Sequence, residues 1–400
     1  MSKLIAPLAV FGAVLVAMVA LNYGATSPPA LSAGGDARTT AIRAEILLTR
    51  ARETGDASLY ARAERAVNAA LRQDSDEVVA LNAAATLAGL RHDFLGQLRY
   101  GLRGRRAEPK LASPLTAIFD GQIELGRYRA AARTAQRLVN IKPSLPAYAR
   151  VSYYRELTGN PGGAVQAMRF AASAGGSAQS SAYVRSLLGD LLLARGQLRA
   201  ARGAYLGALR NVPSFPQALT GLARLHAARG GLEGAAVRLR RSVAQLPLTT
   251  SLTLLGEVEL ARGRERTAAR DIEAARGTHA ADIAGGGFPD AEAVLFETNH
   301  GSPARAVELG RRVFRRAPSI RSADALGWAL TRDGRPRAGL LWARRALRTG
   351  SQDPMFRLHA ALAARRAGVR SEAKRHLTTA LRGAAALSPP MRRLLLGAGS

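Results

Sequence analysis

An all-α solenoid of about ten helical hairpins is the fold that this 400-residue chain predicts, on three observations. Turn positions recur: Gly126, Gly159, Gly196, Gly230, Gly263, Gly301, Gly334 and Gly368 are separated by 33, 37, 34, 33, 38, 33 and 34 residues. Apolar-periodic runs flank each turn, as in LTAIFDGQIEL (115–125) and YRAAARTAQRLVNI (128–141), with helical spacing and no sustained alternation. A proline stands seventeen residues after several turns, at Pro143, Pro213, Pro247 and Pro318. There it ends the second helix, because it lacks an amide donor and pushes the preceding residue out of the helical region. One such hairpin cannot bury its own apolar face, whereas a stack of them can.

Along the chain, residues 4–21 (LIAPLAVFGAVLVAMVAL) carry no charge and follow Lys3, close to the ~20 residues of a membrane span. Residues 1–25 are therefore expected to be an uncleaved signal anchor, a cleaved signal peptide being the other reading, since no clear small-x-small cleavage site follows. Either way the body is exported; the anchor places it outside the cell membrane as a single-pass protein, and cleavage secretes it. Residues 26–40 (TSPPALSAGGDARTT) read as a flexible linker from their Pro, Ser and Gly content. The solenoid is expected over 41–387, with a longer first turn (GDASLYARAERA) and a glycine-rich second helix at Gly96, Gly101 and Gly104. A bend or hinge is expected at 276–290, around Gly285, Gly286 and Gly287, and a C-terminal tail at 388–400.

Small residues follow the turns by five and often by twelve, as at Ala131, Ala201 with Ala208, and Ala373 with Ala380, letting paired helices approach closely. The period, the turn glycine, the alanine five later and the closing proline resemble the tetratricopeptide repeat (TPR) family. The best single match is IRSADALGWALTRDGRPRAGLLWARRALRTGSQDP (320–354), and the likeness covers roughly 42–386. The resemblance implies a right-handed superhelical solenoid and a non-catalytic scaffold that binds a protein or peptide. In that family the first helix of each hairpin lines a concave groove and the second faces outward. Six residues before each turn, the resemblance places Asp120, Tyr153, Asp190, Arg224, Glu257, Leu295, Trp328 and Leu362 in the groove, with Glu124, Arg150, Glu156, Glu292 and Asp324 nearby. The expected binding set is Asp120, Glu124, Arg150, Tyr153, Glu156, Asp190, Arg224, Glu257 and Trp328, Tyr and Trp being typical anchors. The alternative role for each is to cap a helix or to pair with the next repeat.

Composition narrows the chemistry. A net charge of +29 sits on a chain that is 47% hydrophobic, too apolar for a disordered basic tail. Of its 58 basic residues only Lys3, Lys110, Lys142 and Lys374 are lysine, leaving 54 arginines. This fits either a compositional use of arginine on solvated faces or an arginine-rich convex surface that binds a polyanion such as a cell-wall polymer or nucleic acid. Export and a 5% aromatic content disfavour nucleic acid. On the expected outer helix, Arg129, Arg133 and Arg137 fall four apart as a solvated stripe. The chain has no cysteine, so thiolate chemistry is excluded. Its six histidines show no zinc spacing, Gly285-Gly286-Gly287 lacks the Lys-Ser/Thr of a phosphate loop, and no nucleophile motif appears. No catalytic, metal or cofactor-binding residue is expected.

Overall fold

The computed structural model describes residues 36–56 and 58–399. The apolar run 4–21 and most of the expected linker lie outside the described residues, and no helix among them is long and apolar enough to cross a membrane.

The described residues form 21 α-helices and no strand. Ten consecutive hairpins run as α1 (Ala37–Thr54) with α2 (Ser58–Gln73), α3 (Val78–Leu90) with α4 (Phe94–Ala107), α5 (Ser113–Glu124) with α6 (Tyr128–Ile141), α7 (Leu145–Leu157) with α8 (Pro161–Ser173), and α9 (Ala178–Ala194) with α10 (Leu198–Asn211). They continue as α11 (Pro216–Ala228) with α12 (Leu232–Gln245), α13 (Thr249–Ala261) with α14 (Glu265–Ala284), α15 (Ala291–His300) with α16 (Pro303–Arg316), α17 (Ile320–Arg332) with α18 (Pro336–Ala346), and α19 (Pro354–Arg366) with α20 (Arg370–Arg382). A last helix, α21 (Pro389–Gly399), occupies the stretch read as a tail and buries Met391 and Leu395 against the final hairpin.

The local rules hold at most positions. Gly126, Gly159, Gly196, Gly230, Gly263, Gly334 and Gly368 all adopt φ between 68° and 84°, which glycine enters without a Cβ clash. Gly301 differs, at φ −139° and ψ −131°, and beside it the Glu297 carboxylate accepts from the Ser302 amide. The second helices stop one or two residues before Pro143, Pro213, Pro247 and Pro318. Ala131, Ala164, Ala201, Ala235 and Ala306 are fully buried where paired helices cross. Arg129, Arg133 and Arg137 are exposed on the back of α6.

The hairpins also coil until successive superhelical turns touch, which no local pattern announces. The Phe288 amide donates to the Arg91 carbonyl at 2.9 Å. The Ile320 amide donates to the Tyr128 hydroxyl at 2.7 Å, and Thr349 Oγ1 to the Leu157 carbonyl at 2.6 Å. Arg392 Nη2 reaches the Ala227 carbonyl at 2.9 Å. The turns of the second, third, fourth and sixth hairpins thus dock on loops or helices roughly half the chain away. The Gly285–Gly287 stretch, expected to be a bend or hinge, is part of one of these docking contacts: it follows α14 and delivers Phe288 to the α3–α4 turn.

Candidate functional site

The first helices of the hairpins face inward, as the resemblance implies, and the nine expected binding residues divide into two groups. One group is consumed by the scaffold. Asp120 on α5 and Arg150 on α7 are both fully buried, with Arg150 Nε 2.9 Å from Asp120 Oδ1 and Nη2 2.6 Å from Oδ2. Complete burial pushes the Asp120 carboxyl up to about 6, against the pull of Arg150. Glu124 is buried and accepts from the Tyr153 hydroxyl at 3.2 Å.

Trp328 corrects the expectation of an exposed aromatic anchor, since it is 1% exposed. Its ring stacks on His359 at 4.4 Å with the planes 9° apart, and its Nε1 donates to Asn299 Oδ1 at 2.9 Å. The cluster around it contains Leu358, Leu387, Met391 and Leu395, so the last hairpin and α21 cover a position that the repeat pattern places on the groove. Tyr153, at 4% exposed, is likewise no protruding anchor, although its ring forms part of a cavity wall.

The second group lines that cavity. Tyr153, Glu156, Asp190, Arg224 and Glu257 line a space of about 280 Å³, open to solvent on one side and bounded by the first helices of successive hairpins, the start of α19 and the loop before α21. Leu187, Leu191, Leu254 and Leu295 supply apolar wall. Asp190 accepts from the Tyr205 hydroxyl at 2.7 Å and lies 3.5 Å from Arg224 Nη1, so its charge is partly answered. Glu257 Oε1 lies 3.2 Å from His300 Nε2.

Glu156 has no cation within ion-pair distance among the described residues. Burial pushes its carboxyl up to about 8; Asp353 adds to the rise, Arg321 opposes it and Asp190 adds again. Burial also raises Asp190 and Asp353 above the ordinary carboxylate range. Asp353 caps α19, its Oδ1 accepting from the Met355 amide at 2.7 Å and the Phe356 amide at 3.2 Å. It was invisible as a site residue in the sequence, because only coiling of the superhelix brings the tenth hairpin opposite Glu156 on the fourth. Glu292 completes the acidic lining.

Among the described residues the cavity lining carries Glu156, Asp190, Glu257, Glu292 and Asp353 against Arg224, His279 and His300, inside a chain of net charge +29. Such a lining suits a cationic group flanked by apolar atoms. Among the described residues no cluster of three or more histidines and carboxylates has the geometry to hold a metal ion.

No family model and no curated protein matches the chain. Among solved structures it is similar to the crystal structure of MamA protein, at 16% identity over 43% of this chain and 92% of that one, with a TM-score of 0.33. It is also similar to the APC/C hetero-tetramer Cut9-Hcn1, at 17% identity over 94% of this chain and 79% of that one, with a TM-score of 0.40. A third similarity is to YrrB, described as a TPR protein with an unusual peptide-binding site, at 13% identity over 45% of this chain and 92% of that one, with a TM-score of 0.31.

Proposed function

We propose that this protein is a non-catalytic scaffold whose inner cavity holds a basic segment of another protein. The observation that carries this reading is the inversion of sign: an acidic, partly apolar cavity inside a strongly basic chain. An arginine or lysine side chain entering beside Glu156 would displace the proton that burial holds on it at neutral pH and pair with the carboxylate, while its methylene stem lies along Leu187 and Leu191. Asp190, already partly answered by Arg224 and Tyr205, would fix orientation more than affinity.

The same proposal places the scaffold outside the cytoplasm, tethered by residues 4–21. Its support is the length and lack of charge of that run beside Lys3.

The test is calorimetric titration of the full chain, in mild detergent, with two short peptides of matched apolar content, one carrying central arginines and one central glutamates. The arginine peptide is expected to bind the native chain and to lose affinity at least tenfold against a Glu156→Gln, Asp190→Asn double variant. Equal binding of both peptides, or an unchanged affinity in the double variant, would remove the cavity from the proposal.

A further inference from the structure

A second cavity, separate from the acidic one in its chemistry, lies where the first superhelical turn meets the second. It measures about 610 Å³, within the usual range for small-molecule sites. The first turn contributes α2 and the α3–α4 turn; the second contributes the end of α14, the loop that follows it, α15 and α16. Two contacts close the seam beside it, from the Phe288 amide to the Arg91 carbonyl and between His92 Nδ1 and the Phe288 carbonyl, each at 2.9 Å.

The walls are mainly apolar, built by Leu90, Ile283, Phe288, Phe296, Leu309 and Val313. Ile283 and Phe288 remain 45% and 36% exposed, so the seam leaves apolar surface uncovered. The polar groups are mostly donors. The Tyr60 side chain is 8% exposed and lines the cavity, yet its hydroxyl has no hydrogen-bond partner among the described residues. Arg91 spends Nη1 and Nη2 on Glu64, at 2.7 and 2.9 Å, and leaves Nε without an acceptor. Arg312 is exposed at the rim, and Arg316 stacks over Phe288 with its guanidinium carbon 3.4 Å from the ring centroid. A buried donor without an acceptor costs about 1–3 kcal/mol, so this arrangement favours a ligand that brings one.

We propose that this cavity binds a single-chain amphipathic carboxylate, its head accepting from Tyr60 and Arg91 under the field of Arg312 and Arg316, and its chain along Ile283, Phe288 and Leu309. Asp93 lies 3.6 Å from Arg316 and answers part of that field, leaving Arg312 as its main source, and the acids in the lining do not cancel the rest. Glu297 is answered by Arg305 at 2.8 Å and Arg276 at 3.5 Å, and Asp290 caps α15. Burial raises Asp282 to about 7, with His92 opposing and Asp290 adding, so at neutral pH it carries about half a charge. Because the ligand would touch both superhelical turns, its binding would stabilise the coiled form.

The experiment follows thermal unfolding of the full chain with laurate, dodecanol, dodecyltrimethylammonium and acetate, each below its micelle concentration. Laurate is expected to raise the midpoint saturably and the other three to leave it unchanged. Leu309→Trp, which fills the cavity, should abolish the response, while Tyr60→Phe and the surface change Arg312→Glu should weaken it several-fold with the free protein still folded. An equal response to dodecanol would overturn the carboxylate. An undiminished laurate response in all three variants, or no saturable response to laurate in the native chain, would overturn the site.

Discussion

Arg150 closes on Asp120 with two hydrogen bonds of 2.9 and 2.6 Å, and neither side chain has any exposed surface. The pair joins α5 to α7 and so fixes the rotation between the third and fourth hairpins. Removing one partner leaves a buried charge unanswered, so Arg150→Met should cost about 3–5 kcal/mol of stability. The double variant Asp120→Leu, Arg150→Met should recover most of that loss, as apolar replacements of buried pairs often do. Chemical denaturation of the four proteins in the cycle measures both effects; equal losses in the single and double variants would refute the pairing.

Superhelical docking makes glycines with similar φ unequal. Gly159 and Gly230 have φ of 78° and 84°, so alanine at either should cost about 1–2 kcal/mol of left-handed strain. A Cβ on Gly159 would also lie 2.4 Å from the Gly350 carbonyl oxygen, whereas one on Gly230 meets nothing within 4 Å. Gly159→Ala is therefore expected to destabilise more than Gly230→Ala and to enlarge the radius of gyration in X-ray scattering. Identical behaviour of the two variants would mean that the turns do not hold one another in solution.

Glu156 gives stability a pH dependence of known sign. Its carboxyl is raised from 4.5 to about 8, so the folded chain holds that proton more tightly than the unfolded one. Its contribution to stability is fully present below 4.5 and is lost as pH rises towards 8. Glu156→Gln should match the native chain near about pH 5 and melt several degrees higher near about pH 8.5. A constant difference between the two proteins across that range would assign the carboxyl an ordinary pKa.

Proton linkage carries the same group into binding. A cationic peptide that pairs with Glu156 must drive off its proton, so calorimetric enthalpies at neutral pH should differ between buffers of different ionisation enthalpy. That difference should vanish with Glu156→Gln. Its persistence would place the released proton elsewhere.

Salt separates the inner site from the arginine-covered back. A polyanion held by exposed arginines loses about 10³–10⁵ in affinity between about 50 and 200 mM salt. A basic peptide in the inner cavity should lose far less over that range, since salt also screens its repulsion by the outer arginines. A steep fall for the arginine peptide would argue against binding in the inner cavity.

Much of this protein is legible without coordinates. Gly126, Ala131 and Pro143 mark one hairpin because a left-handed turn, a close helix crossing and a missing amide donor are local requirements that few residue types meet. The recurrence of that spacing determines the ten hairpins; the inward placement of Glu156, Asp190, Arg224 and Glu257 follows from the likeness to tetratricopeptide repeats, and the structure puts all four on one cavity lining. What the tertiary structure decided is which inward residues remain open. Asp120 and Arg150 occupy equivalent inward faces of adjacent hairpins yet are sealed, and Trp328 occupies the same repeat position as Tyr153 and Asp190 yet is buried under α21. Asp353 faces Glu156 because small rotations between hairpins accumulate until one superhelical turn meets the next. That accumulated angle is a sum over many packed interfaces, and no single repeat encodes it.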